Sequence, residues 1–226
     1  MKTSKKAYTY KMKLVPANIL GVIIFVILIV LTYFLNINIM VDGNFFIILL
    51  VMILYLMLHE VMHGLGYFLG GTKLRNIAYG IKLEQGILYC QSFQEITKKN
   101  ILLSLQMPFM TIGVITYIIG VIYSLNFLVL LSIINLVGAS MDLVMFFYIL
   151  KLPKNITYSE SGEPDEFILI SDEDLTKYKS TYFEITNTKK YKKEDYVFKN
   201  IKKIIVSNTS FIVIGLIIIF GLLSLI

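Results

Sequence analysis

Five long apolar runs separated by polar stretches set the organisation of this chain. They cover residues 17–35, 45–69, 101–123, 127–150 and 204–226, and a bilayer core about 30 Å thick takes about 20 helical residues to cross. The pattern predicts an all-α polytopic membrane protein with about five transmembrane helices. Strand-like runs occur over 77–83 and 87–90, joined by Glu84-Gln85-Gly86, which predicts a short β-hairpin after the second span. A further short strand is expected over 166–170. The resulting layout is a basic N-terminus with a first membrane anchor (1–44), a three-helix core (45–150), a cytoplasmic segment (151–203) and a C-terminal transmembrane helix (204–226).

Composition agrees with a membrane setting. Of 226 residues, 57% are hydrophobic and 16% charged, with a mean hydropathy of +0.75. A soluble domain carries about 25% charged residues. The basic residues are distributed asymmetrically. All 21 fall before the first span, between spans two and three, or between spans four and five, and the loops 36–44 and 124–126 contain none. The positive-inside rule therefore places the N-terminus in the cytoplasm. The net charge of +6 is then a topology signal, with anionic lipid head groups the expected partner and nucleic acid not expected. The first apolar run exceeds the h-region of a signal peptide and no small-residue cleavage site follows, so it reads as a retained anchor in the cell membrane. The single cysteine, Cys90, excludes an intrachain disulfide.

The chemistry sits inside the second span. Both histidines of the chain belong to one HExxH motif, His59-Glu60-Val61-Met62-His63. Residues four apart share a helix face, so both imidazoles can grip one metal ion, with Glu60 beside them as the base for an attacking water. Asp142 is the other acidic residue lying deep in a span. A carboxylate at membrane depth costs roughly 2.5–3.5 kcal/mol on insertion scales, so it needs a partner. Asp142 and His59 lie at similar depths in parallel spans, roughly 12–15 Å below the cytoplasmic surface at 1.5 Å per residue. Zn2+ bound by His59, His63 and Asp142 leaves a fourth position for water and balances the two carboxylates. The expected function is an intramembrane zinc metalloprotease acting on a membrane-protein or membrane-associated peptide substrate, with Glu60 as general base. A divalent-cation transporter and a non-catalytic, metal-binding pseudoprotease remain open. Polar contacts between helices are the simpler alternative for a lone His or Asp.

His59-Glu60-x-x-His63-Gly64 and a distant intramembrane Asp142 resemble the site-2 protease group of zinc metalloproteases. The resemblance extends to a bacterial family of small membrane zincin-type peptidases, through Gln106-Met107-Pro108-Phe109 and the run Asn135 to Asp142. It covers about residues 51–170. It implies that Asn135 orients the substrate backbone. Site-2 proteases carry Asp-Gly at the third ligand, whereas Leu143 follows Asp142 here, which puts substrate handling more than metal binding in question.

Overall fold

The computed structural model describes residues 5–39, 43–82, 87–163 and 165–192. The expected fifth span, 204–226, lies outside the described residues. Among those described, helix α1 (Leu14–Phe34) and helix α2 (Phe45–Leu69) are each long and apolar enough to cross a membrane. So is the continuous helical stretch Lys98–Ile122. It comprises α3 (Lys98–Pro108), a π-helical segment (Phe109–Ile115) and α4 (Thr116–Ile122). Helices α5 (Asn126–Gly138) and α6 (Ser140–Lys151) form a pair bent by 47°, long enough together for one more span. Lipid-like surroundings suit α1, on which Val15 is 72% exposed and Val22 62%.

The expectation of an all-α fold is overturned. Strand β1 (Lys6–Met12) and strands β4 (Ile96–Thr97), β5 (Thr157–Glu160), β6 (Glu166–Ser171) and β7 (Phe183–Lys190) form one antiparallel sheet in the order β4-β5-β6-β1-β7. The basic tail is thus a central strand, with Tyr8 opposite Leu169 and Tyr10 opposite Phe167. Its partners are more than 150 residues away in the chain, so no local hairpin pattern announces it. The expected hairpin after the second span is present as β2 (Ile77–Lys82) and β3 (Ile87–Ser92), a separate two-stranded sheet. The strand expected at 166–170 is β6.

The sheet packs on the helix ends. Tyr8, Tyr10, Phe167 and Leu169 share one buried cluster with Tyr67 of α2, Leu105 of α3 and Tyr148 of α6. Tyr10 stacks on Phe167 with centroids 5.1 Å apart, and Phe183 packs on Tyr148 at the same distance. Each such pair contributes about 0.5–1.5 kcal/mol beyond its buried area. Strand β1 leads into α1, α2 runs out to β2, β4 leads into α3, and α6 runs out to β5. These four connections all lie on the sheet side.

Two glycines matter to the packing. A Cβ on Gly66 would sit 2.5 Å from the Ser104 Cα, so only glycine lets α2 and α3 approach this closely. Gly71, at φ +99°, ends α2 in a conformation that L side chains rarely adopt.

Candidate metal centre

Helix α2 carries His59 and His63 one turn apart, and the bend between α5 and α6 sets Asp142 in the first turn of α6. Three side-chain atoms converge. His59 Nε2 lies 3.1 Å from His63 Nε2 and 3.2 Å from Asp142 Oδ2, and His63 Nε2 lies 3.4 Å from the same oxygen. The histidine side chains are 12% exposed and Asp142 is 19% exposed.

Neighbouring groups decide where the protons of the two rings sit. His63 Nδ1 is 3.0 Å from the backbone carbonyl of Ser104, which only accepts, so Nδ1 carries the hydrogen. Pro108 has no N–H to offer that carbonyl, which in a regular helix would bond the residue four further on. The proline thereby leaves the Ser104 oxygen free for His63. The Pro108 carbonyl in turn accepts from Asn135 Nδ2 at 3.1 Å, which turns Asn135 Oδ1 toward His59. That oxygen lies 2.8 Å from His59 Nδ1, so this nitrogen also donates. In neutral imidazoles both Nε2 atoms then present lone pairs to each other and to Asp142.

Three lone-pair groups this close need a cation between them. Tetrahedral zinc with bonds of 2.0–2.1 Å requires neighbouring donor atoms about 3.3–3.4 Å apart. The observed edges of 3.1, 3.2 and 3.4 Å fit that triangle. A hydrogen bond from the second ring nitrogen to a carbonyl or amide is also the usual way a ligating histidine is held. Donor atoms of His59, Glu60 and His63 lie within 4.8 Å of one another, so Glu60 is beside the same point.

Glu60 accepts a backbone hydrogen bond from Cys90 of β3, which ties the hairpin to the motif. It borders two cavities. One, of about 200 Å³, is shared with His63, Asp142, Cys90 and Glu160, and the other, of about 220 Å³, with His59, Leu88 and Asn135. Each has room for water.

The four residues expected at the site, His59, Glu60, His63 and Asp142, are brought together. Asn135 is 1% exposed, its amide bonds His59 and the Pro108 carbonyl, and it borders the cavity of about 220 Å³ beside Glu60. Tyr55 bonds Thr116 and the Ile112 carbonyl, away from the metal triangle. Sequence reasoning missed three contributors. Pro108 frees one carbonyl and supplies another, a role that a lone proline in a span does not announce. The Ser104 oxygen is main chain and has no residue signature. Glu160 arrives on a strand whose pairing was not foreseen.

No curated protein and no solved structure matches the chain. Residues 51–157, which run from α2 to the start of β5, match a family model described as "Putative zincin peptidase". That stretch contains His59, Glu60, His63 and Asp142, and zinc is the metal that a zincin implies for the group His59, Glu60 and His63.

Proposed function

We propose that this protein is an intramembrane zinc metallopeptidase that cuts membrane-embedded or membrane-associated peptide substrates near the cytoplasmic face. The observation that carries this reading is the triangle of His59 Nε2, His63 Nε2 and Asp142 Oδ2 with Glu60 alongside. His59, His63 and Asp142 are the three protein ligands, which leaves a position for water or substrate. When bound, zinc supplies Lewis-acid polarisation of the scissile carbonyl and acidifies water. Glu60 accepts a proton from the water whose oxygen attacks the carbonyl carbon. It delivers that proton to the amide nitrogen as the C–N bond breaks, so the products are a carboxyl group and an amine. Ser104 and Asn135 hold the imidazoles in the required tautomer.

Substrate must reach the site unwound, because a helix hides its peptide bonds. Among the described residues strand β3 pairs with β2 alone, and its Cys90 amide points at Glu60. Its other edge is suited to take an extended substrate strand by main-chain hydrogen bonds. The exposed apolar surface of α1 and the length of the spans support a membrane location, with the sheet side cytoplasmic by the distribution of lysines.

A cation transporter would use the same His and Asp groups without needing Glu60 as a base. A pseudoprotease would bind clients and leave them intact. Glu60→Gln separates these readings. It is expected to abolish cleavage of a membrane substrate, by about 100-fold or more, while retaining zinc. Unchanged cleavage in this variant would remove the protease assignment.

A further inference from the structure

Beyond the metal triangle and its base, the cavity of about 200 Å³ is lined by four further acids, Glu163, Asp165, Glu166 and, on β5, Glu160. The two oxygens of Glu160 are held by different donors. Tyr67 of α2 donates its hydroxyl to Oε1 at 3.2 Å, and Tyr158 of β5 donates to Oε2 at 3.0 Å. A backbone hydrogen bond from Ser92 of β3 adds a third. Three elements therefore fix one carboxylate, which is more than packing alone asks of a strand-end glutamate. A carboxylate has about four acceptor positions, so one remains.

Every one of these donors is neutral. They orient the charge without balancing it. Among the described residues lining the cavity none is Lys or Arg, although the chain carries 21 of them. Asp165 at the same cavity has Lys11 at 3.5 Å, whereas the group nearest to a cation for Glu160 is His63, already engaged at the metal triangle. Burial accordingly raises the Glu160 pKa to about 7, against the pull of its hydrogen bonds. Among the described residues lining the cavity no lysine or arginine balances it, so a cation brought into the cavity would favour its charged form.

We propose that Glu160 is a specificity residue that receives a positively charged group of the peptide substrate, an ammonium or guanidinium, inside the cavity that also holds Glu60, His63 and Asp142. This inference rests on the metallopeptidase reading above. The location suits it. Glu160 is carried by the sheet, on the side where this chain keeps its own lysines, and the cytoplasmic flanks of membrane proteins are rich in Lys and Arg. A substrate entering from that side brings its own cation to a carboxylate whose two oxygens are already oriented.

The test is binding rather than turnover. Full-length, detergent-solubilised, zinc-loaded protein carrying Glu60→Gln is titrated with three fluorescein-labelled apolar peptides, read by anisotropy. The first is N-acetylated with one central Lys, the second is N-acetylated with Gln in its place, and the third has that Gln and a free α-amine. The Lys peptide is expected to bind about tenfold more tightly than the acetylated Gln peptide. Adding Glu160→Gln should bring the two within about twofold while leaving the Gln peptide's affinity unchanged. Preference for the third peptide over the second, lost in the same way, also supports the proposal and identifies an α-ammonium as the cation. Should Glu160→Gln fail to fold, Tyr158→Phe takes its place and is expected to reduce the preference several-fold. Equal binding of all three peptides overturns the inference, as does a preference that survives Glu160→Gln, because it would then arise from other acids. A protein that cuts nothing yet shows the preference loses the protease reading alone; one that cuts while binding all three alike loses only this one.

Discussion

Proline 108 shows how a single residue can shape chemistry it never touches. Its missing N–H releases the Ser104 carbonyl to His63, and its own carbonyl turns the Asn135 amide toward His59. Pro108→Ala would restore a helical competitor for the Ser104 oxygen and loosen the His63 ring. Losing the group that holds a ligating histidine's other nitrogen costs about 10–100-fold in metal affinity. Competition with a fluorescent zinc chelator should therefore show weaker zinc binding by that factor, with the helical content of the protein retained. Unchanged affinity would mean that the His63 tautomer is held by something other than the freed carbonyl. The HExxH pair and Asp142 were legible from spacing and from the cost of charge at membrane depth. The supporting atoms were not, because two of them are main-chain carbonyls, whose availability depends on a helical register that composition does not encode.

Among the elements, the hairpin has the most direct bearing on the site. Strand β3 donates the Cys90 amide to Glu60, and its outer edge borders the cavity. Cys90→Pro deletes that donor at a position on the outer edge, where proline is tolerated in a strand. Cleavage should fall by about tenfold or more as Glu60 loses its orientation, while zinc content stays unchanged. A parallel loss of zinc would instead assign the hairpin to the support of the metal. The hairpin and β6 were readable because each follows a local apolar pattern. The rest of the five-stranded sheet was not, for β1 lies in a lysine-rich tail and finds β6 and β7 only across the whole helical region. Tyr8 and Tyr10 both face the core, but two tyrosines among lysines in a tail are a weak strand signal.

The whole molecule combines a helical part, long and apolar enough for a membrane, which holds the metal triangle, with a sheet that packs on its helix ends and delivers Glu160. The proposed orientation rests on the distribution of lysines along the sequence. In a chain with Cys90 replaced by serine, Tyr123→Cys at the far end should react with a membrane-impermeant maleimide in intact cells. Lys179→Cys, on the sheet side, should react only after permeabilisation. The opposite pattern would invert the topology and move the site to the outer face.

The proposed chemistry depends on one metal ion held between α2 and α6. Elemental analysis of detergent-purified protein, after zinc loading and mild dialysis, tests this most directly. About one zinc per chain in the wild type, retained in Glu60→Gln and lost in both His59→Ala and Asp142→Ala, is the predicted result. A wild type without zinc, or an Asp142→Ala variant that keeps a full complement, would contradict the His-His-Asp centre.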